Sequence, residues 1–462
     1  MSTALEALPP QRVEPIQRLN PFRLLPALLK LRFRGDFSDV VTYSYSIKAG
    51  LRAGFWPVRF VYLHRPELVE AVCVKNDKSY IKPLGIEGLR RFLGNGLLTS
   101  EGKFHLRQRR MIQPAFHKKR IDAYAKCMVD YSLKRTEQWK DGQELDIHTE
   151  MMGVTLEIIA KTMFNAEVAG DAAKVAHALD MITGYQERYG IRWVGKIFDA
   201  LPLPSTRRLL KAMAELDAIM YRIIDEHCGA EEDTGDLLSM LLQARAEEDG
   251  TIMSGQQLRD ECLTLFLAGH ETTAVLMSWT WWLLSEHPEV EAKLHEELDR
   301  VLEGRPAAME DVDKLVYTRY VVTEAMRLYP PAFGFGRQAI EDNQVGPYLI
   351  RKGTIVGMAP FLMHRQPEWY PEPEKFDPER WTPERSEGLP KFAYCPFGGG
   401  SRKCIGDQFA WMEATLLLAT FAQGWKMRVL PGREPVPQPL VTLRPKGGVP
   451  VVLEKRTLAA VS

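Results

Sequence analysis

A run of some 33 residues, Ser254 to Glu286, reads as a single helix, opening on "SGQQ" with Ser254 and Gln257 at capping-box spacing and closing before Pro288. At ~1.5 Å per residue it would extend about 50 Å, so only a large, mostly helical body can surround it. Its middle, "LTLFLAGHETTAVLMSW" (Leu263 to Trp279), is apolar on nearly every face and must be buried. Inside that run stand Gly269, His270, Glu271, Thr272 and Thr273. Glycine weakens a helix interior by up to ~1 kcal/mol, and a buried carboxylate is costly without a partner. An isolated threonine would bond back to the carbonyl four residues earlier. A cluster of this kind implies a chemical use. Gly269 is expected to leave room for a flat or bulky body, and Glu271 and Thr272 to supply protons beside it.

Between Ile121 and Leu242 apolar residues recur at three and four, which predicts several amphipathic helices. Strand patterns are fewer: Pro57 to Leu63, Tyr348 to Pro360 and Val449 to Arg456. The expected class is mainly α with a small β region (α+β), without internal repeats. Sixty basic and sixty acidic side chains cancel, so nothing draws the chain to nucleic acid. Six cysteines without a C-x-x-C pair argue against a disulfide framework or structural zinc, and a reducing cytoplasm is expected. The apolar stretch Leu19 to Gly35 is broken by Arg23, Pro26 and Lys30, so no transmembrane segment or secretory signal is expected, and a peripheral membrane contact is the alternative to simple packing.

The stretch "PFGGGSRKCIGDQFAWMEATLLLATFA" (Pro396 to Ala422) places three glycines and two bases before Cys404, then starts an apolar helix. Free cysteines are mostly small buried hydrophobes. Here Gly398, Gly399 and Gly400 allow a tight, close-approaching backbone, and amide donors with a helix start near Ile405 are expected to favour a thiolate. No second cysteine or histidine stands close enough in sequence to complete a protein-only metal site, whereas a porphyrin supplies four ligands at once. A phosphate loop is excluded because G-x-x-x-x-G-K-[ST] is not met. "FGGGSRKCIG" (Phe397 to Gly406) satisfies F-G-x-G-x-R-x-C-x-G at all six fixed positions. Chance would give this on the order of once in 100,000 chains of this length.

That motif resembles the haem-binding signature of the cytochrome P450 family. Three further segments resemble family motifs in the expected order: "AGHETT" (Ala268 to Thr273), "EAMR" (Glu324 to Arg327) and "FDPERW" (Phe376 to Trp381). The resemblance implies a triangular helical prism around the long central helix, with residues 1–38 an N-terminal segment and 39–462 one catalytic domain. It implies haem b held by Cys404 as iron ligand, with Phe397, Gly398 and Ala268 lining the cofactor and Arg402, Arg337, Arg109 and His105 at its propionates. His105 stands where the family often has tryptophan, and it can still donate from a ring nitrogen. Glu324 and Arg327 share one helical face, and by resemblance Arg380 completes a buried structural cluster with them.

The function so implied is a cytoplasmic monooxygenase that hydroxylates a hydrophobic small molecule such as a terpenoid, fatty acid or steroid. Thr272 and Glu271 would be catalytic, delivering protons to dioxygen. Electrons would come from NAD(P)H through a separate ferredoxin or flavodoxin, with Lys118, Lys119, Arg120 and Lys403 as docking candidates on a monomer. The substrate pocket is expected to use Phe266, Ala332, Phe333 and Leu440, roofed by the helix-poor stretch Tyr80 to Ser100 and by Tyr185 to Pro204. A haem-thiolate isomerase or peroxygenase and a haem-binding sensor are the alternatives. The Glu271–Thr272 pair disfavours both, because neither delivers protons to dioxygen.

Overall fold

The computed structural model describes residues 17–18, 50–55, 58–83, 86–167, parts of 170–185, 204–228, 235–244 and 250–457. Residues 186–203, most of one expected roof segment, lie outside the described residues. The central helix is Gly255–Glu286, and Ser254 caps it with both bonds of a capping box. Gln257 N–H donates to Ser254 Oγ at 3.2 Å, and Ser254 N–H to Gln257 Oε1 at 3.0 Å. Pro288 opens the next helix, Pro288–Leu302, as its first residue.

Helix Ile147–Phe164 packs closely on the central helix, and Gly269 allows it. A Cβ there would stand 2.4 Å from Ile159 Cδ1. The glycine therefore serves helix packing and not a guest molecule, which corrects the expectation from sequence. The polar atoms around it are used on the same neighbour. Thr155 Oγ1 donates to the His270 carbonyl at 3.0 Å, and His270 Nε2 meets the Met152 carbonyl at 2.9 Å. Helices Lys118–Thr136 and Asp407–Gly424 complete the packing around the centre.

Among the described residues the strands form four sheets. Six strands pair in the order Gln17–Arg18 (β1), Gly50–Phe55 (β2), Val58–Leu63 (β3), Ile355–Met358 (β9), Phe335–Ala339 (β6) and Tyr80–Ile81 (β4). Trp425–Val429 (β10), Pro450–Lys455 (β13) and Glu144–Asp146 (β5) form a second sheet. Asn343–Val345 (β7) with Tyr348–Ile350 (β8), and Val436–Pro439 (β11) with Leu443–Lys446 (β12), make two hairpins. The patterned segments at Pro57 to Leu63 and Val449 to Arg456 each hold one strand, Tyr348 to Pro360 holds two, β8 and β9, in different sheets, and the α+β class is as expected. Strands such as β6, "FGRQA", escaped because Gly336, Arg337 and Gln338 give no alternation. The stretch expected to be helix-poor contains helix Ile86–Leu93, whose face buries Phe92 and Leu93.

Candidate functional site

Two glycines shape the loop before Cys404. Gly398 has φ +67° and Gly400 φ +68°, a region that side chains rarely adopt. A Cβ on Gly400 would lie 1.7 Å from the Cys73 carbonyl oxygen, so the loop is clamped against that backbone. Gly398 N–H donates to the Cys395 carbonyl at 3.0 Å, and Cys404 N–H to Phe397 O at 3.0 Å. Cys404 is exposed, with Phe397 half-buried beside it against Trp411. Contrary to expectation, the loop alone does not favour a thiolate. Enough protein surrounds the sulfur that desolvation pushes the thiol up, outweighing the Gly406 amide, and the Asp407 carboxylate adds to the rise. The helix begins only at Asp407, so its positive end is further off than the sequence implied.

Behind this loop lies the buried cluster. Arg327 Nε and Nη2 donate to the two oxygens of Glu324, each at 2.8 Å, and both residues are fully buried. Arg380 Nε joins Glu324 Oε1 at 3.3 Å, and Trp381 Nε1 joins Oε2 at 2.9 Å. Arg327 Nη1 also donates to the His364 carbonyl at 2.8 Å. His364 Nε2 in turn accepts the Cys395 N–H at 3.0 Å. Burial, followed by the charge of Arg327, pushes His364 down to about 3, which keeps that nitrogen a neutral acceptor. A continuous chain of bonds therefore joins the Glu324–Arg327 pair to the cysteine loop. His364 carried no local sequence signal for this role, and Trp381 stood only as the last residue of the "FDPERW" segment.

On the other side, bases from distant segments gather. Arg402 donates to the Ser100 carbonyl at 3.1 Å and pairs with Glu101. Arg109 Nη1 donates to the Lys403 carbonyl at 2.8 Å. Arg337 is half-buried, and its one hydrogen bond among the described residues runs from Nη1 to the Gly336 carbonyl at 2.8 Å. Lys82, which the sequence reading did not single out, donates to the carbonyls of Leu97 and Ser100, both at 3.0 Å. Burial, then the charge of Arg402, pushes Lys82 down to about 7. His105 is buried, with Nδ1 3.2 Å from the Leu97 carbonyl and Nε2 without a hydrogen-bond partner among the described residues. Desolvation, then Arg402 and Lys82, pushes it down to about 3. Lys82, Arg337 and Arg402 thus lie near the Glu101 carboxylate, with Arg109 on the neighbouring Lys403 carbonyl and an imidazole nitrogen that has no hydrogen-bond partner among the described residues. Such a donor set fits the two carboxylates of a haem.

On the central helix Ala268 is exposed and Thr272 half-exposed, one turn apart, with Leu267 and Gly269 also partly open in a mostly buried helix. Thr272 Oγ1 donates back to the Ala268 carbonyl at 2.6 Å. Glu271 points elsewhere. Its Oε1 accepts from Thr442 Oγ1 at 2.5 Å and from Arg444 Nε at 2.8 Å on β12 and its lead-in. Burial acts to raise this carboxyl, but Arg444, by charge and hydrogen bond, holds it below its ordinary value. Sequence put Glu271 beside Thr272; the structure separates their side chains.

Among the expected pocket residues, Phe266 is corrected: it is fully buried against Phe164, at 5.9 Å between ring centroids. Ala332 is exposed, and Phe333 and Leu440 are half-buried. Leu98, 40% exposed and next to Leu97 within the expected roof stretch Tyr80 to Ser100, is an open apolar side chain. Of the docking candidates, Lys403 pairs with Asp407 at 2.5 Å and Arg120 donates to the Gly235 carbonyl, while the side chains of Lys118 and Lys119 lie outside the described set. No helix among the described residues is long and apolar enough to cross a membrane.

The family model described as cytochrome P450 matches residues 21–450. The chain is 41% identical over 396 residues to cyclooctatin synthase of Streptomyces melanosporofaciens, covering 85% of each chain. To cyclooctat-9-en-7-ol 5-monooxygenase of the same organism it is 38% identical over 379 residues, 81% of this chain and 82% of the other. Pentalenene oxygenase of Streptomyces avermitilis is 34% identical over 380 residues, 82% of this chain and 84% of the other.

Proposed function

The chain belongs to the cytochrome P450 family and is a haem-dependent monooxygenase, and from that premise we propose that it hydroxylates a cyclic terpenoid. The observation that carries the substrate class is the likeness, across more than four-fifths of the chain, to cyclooctatin synthase and to two relatives named as oxygenases of cyclooctat-9-en-7-ol and pentalenene. Exposed apolar side chains at Leu98, Ala268 and Ala332 are compatible with an apolar guest.

Bound haem supplies the dioxygen chemistry, and a thiolate ligand favours O–O cleavage. Cys404 would be that ligand. Lys82, Arg109, Arg337, Arg402 and His105 would hold the propionates, and Ala268 would leave space beside the macrocycle. Thr272 can turn its hydroxyl proton from the Ala268 carbonyl toward the open side and so deliver it there. Glu271, kept ionised by Arg444, would accept a proton and pass it on only when it leaves that pair. Two electrons per turnover would come from NAD(P)H by way of a ferredoxin or flavodoxin, and the two protons from solvent.

The test is turnover of polycyclic terpene hydrocarbons and alcohols with a generic reductase and ferredoxin, following dioxygen uptake against product. Thr272→Ala is expected to lower product per dioxygen consumed by about 10- to 100-fold, in line with loss of a positioned proton donor. Unchanged coupling would remove Thr272 from the mechanism, and binding of fatty acids in preference to terpenoids would overturn the substrate class.

Arg444 gives a second expectation. With Arg444→Met the Glu271 carboxyl loses its cation and its pKa rises, because desolvation alone remains large. A depressed carboxyl contributes stability that is present above the unfolded value and is lost as pH falls through the folded one. The variant should lose that contribution, and the acid limb of its pH–rate profile should move to higher pH. Coupled turnover measured across pH checks this.

A further inference from the structure

The loop Gly94–Ser100 is held from two sides. Gly94, at φ +62°, and Gly96 press it onto the central helix. A Cβ on Gly94 would meet the Asp260 carboxylate at 2.1 Å, and one on Gly96 the Thr264 hydroxyl at 2.3 Å. Asp260 Oδ2 accepts the Asn95 N–H and Glu261 Oε2 the Leu97 N–H, each at 2.7 Å. The Leu97 carbonyl faces the other way, receiving Lys82 Nζ at 3.0 Å with His105 Nδ1 at 3.2 Å. Three residues on, the Ser100 carbonyl receives Lys82 at 3.0 Å and Arg402 at 3.1 Å. Leu97 alone therefore separates an acid of the central helix from the bases described above.

Glu261 is fully buried, and its Oε1 has no hydrogen-bond partner among the described residues. A leucine would fill this place without the desolvation cost, so the acid is explained by the bond it makes. Asp260 at its side is otherwise engaged, by Gln256 Nε2 at 2.8 Å and Arg259 Nη1 at 3.0 Å.

We propose that Glu261 is a positioning residue for the cofactor's carboxylates: by anchoring the Leu97 N–H to the central helix it fixes the carbonyls that orient Lys82, His105 and Arg402. The proposal rests on the reading of that basic cluster as the haem propionate site. Burial pushes Glu261 up to about 8, against the opposing pull of the Leu97 amide and with Asp260 and Lys82 as its charged neighbours. Glutamine is therefore its closest substitute near neutral pH, since it keeps an acceptor for the Leu97 amide.

The experiment follows haem transfer from holoenzyme to excess apomyoglobin, with hydrogen exchange of the Leu97 amide in the same samples. Glu261→Leu is expected to hasten haem loss about tenfold, the scale of losing an outer partner of a bound group. Glu261→Gln should stay within about twofold of the parent. Lys82→Met should hasten loss too, and adding Glu261→Leu to it should give much less than the product of the two effects, because both act through Leu97. The Leu97 amide should exchange faster in Glu261→Leu and in Lys82→Met, but not in Glu261→Gln. Multiplying effects, or an unaltered rate in Glu261→Leu while Lys82→Met and Arg402→Leu both lose haem faster, would overturn the proposal alone. Unchanged haem loss in Lys82→Met and Arg402→Leu would overturn the propionate reading and this inference with it. Should Glu261→Leu fail to fold, undisturbed Leu97 exchange in Lys82→Met still decides against it.

Discussion

Arg327→Leu is expected to yield no stable holoenzyme. The guanidinium is fully buried and makes two bonds to Glu324 and three to backbone carbonyls, of His364, Pro373 and Lys375. Removing one member of a buried ion pair costs about 3–5 kcal/mol, because the remaining charge stays desolvated. Arg380 compensates only in part, as its Nε reaches Glu324 at 3.3 Å. Against a typical total of ~5–15 kcal/mol, such a loss removes much of the folding free energy. Replacing both partners, as Glu324→Met with Arg327→Met, should recover part of it by leaving no uncompensated charge. The freed carbonyls would still cost something. Urea unfolding of the variants measures the difference. A single variant as stable as the parent would show that the cluster is not what locks the cysteine loop.

Cys404→Ser is expected to abolish turnover to the uncatalysed background and to remove the red-shifted absorption of the reduced carbon monoxide complex, since an alcohol cannot replace the thiolate's electron donation. Binding iron requires the thiolate, so haem capture by the apoprotein should quicken as pH rises. That pH dependence should vanish in the serine variant. Stopped-flow haem uptake across pH tests both statements, and a serine variant with the parent spectrum would mean that another residue ligates the iron.

How far the sequence revealed these features depends on how local they are. The central helix, its Ser254–Gln257 cap and the Glu324–Arg327 pair were legible because each lies within one or two helical turns. Arg380 was reached only by family resemblance, since 56 residues separate it from Glu324. Lys82 was not reached at all. A lone lysine in "YIKPLG" has no periodic partner, and its importance comes from carbonyls 15 and 18 residues away. Gly269 and Phe266 were misassigned for a different reason. A helix that is apolar on every side does not say which face meets a neighbour and which meets a cavity; the contacts of Ile159 and Phe164 decide it. Glu271 shows the same limit, because nothing near "GHETT" announces Arg444.

The bond from Arg402 to Ser100 spans 302 positions of chain. Contacts of such range close late, after the entropy of a very long loop has been overcome. The binding face is thus among the last parts of the molecule to assemble, while the capped central helix can begin from its own turn. Newly made chains would pass through a period in which the interior is already compact but the pigment has no secure seat. Slower synthesis and a cool, haem-replete culture should therefore raise the coloured fraction more than the total protein yield.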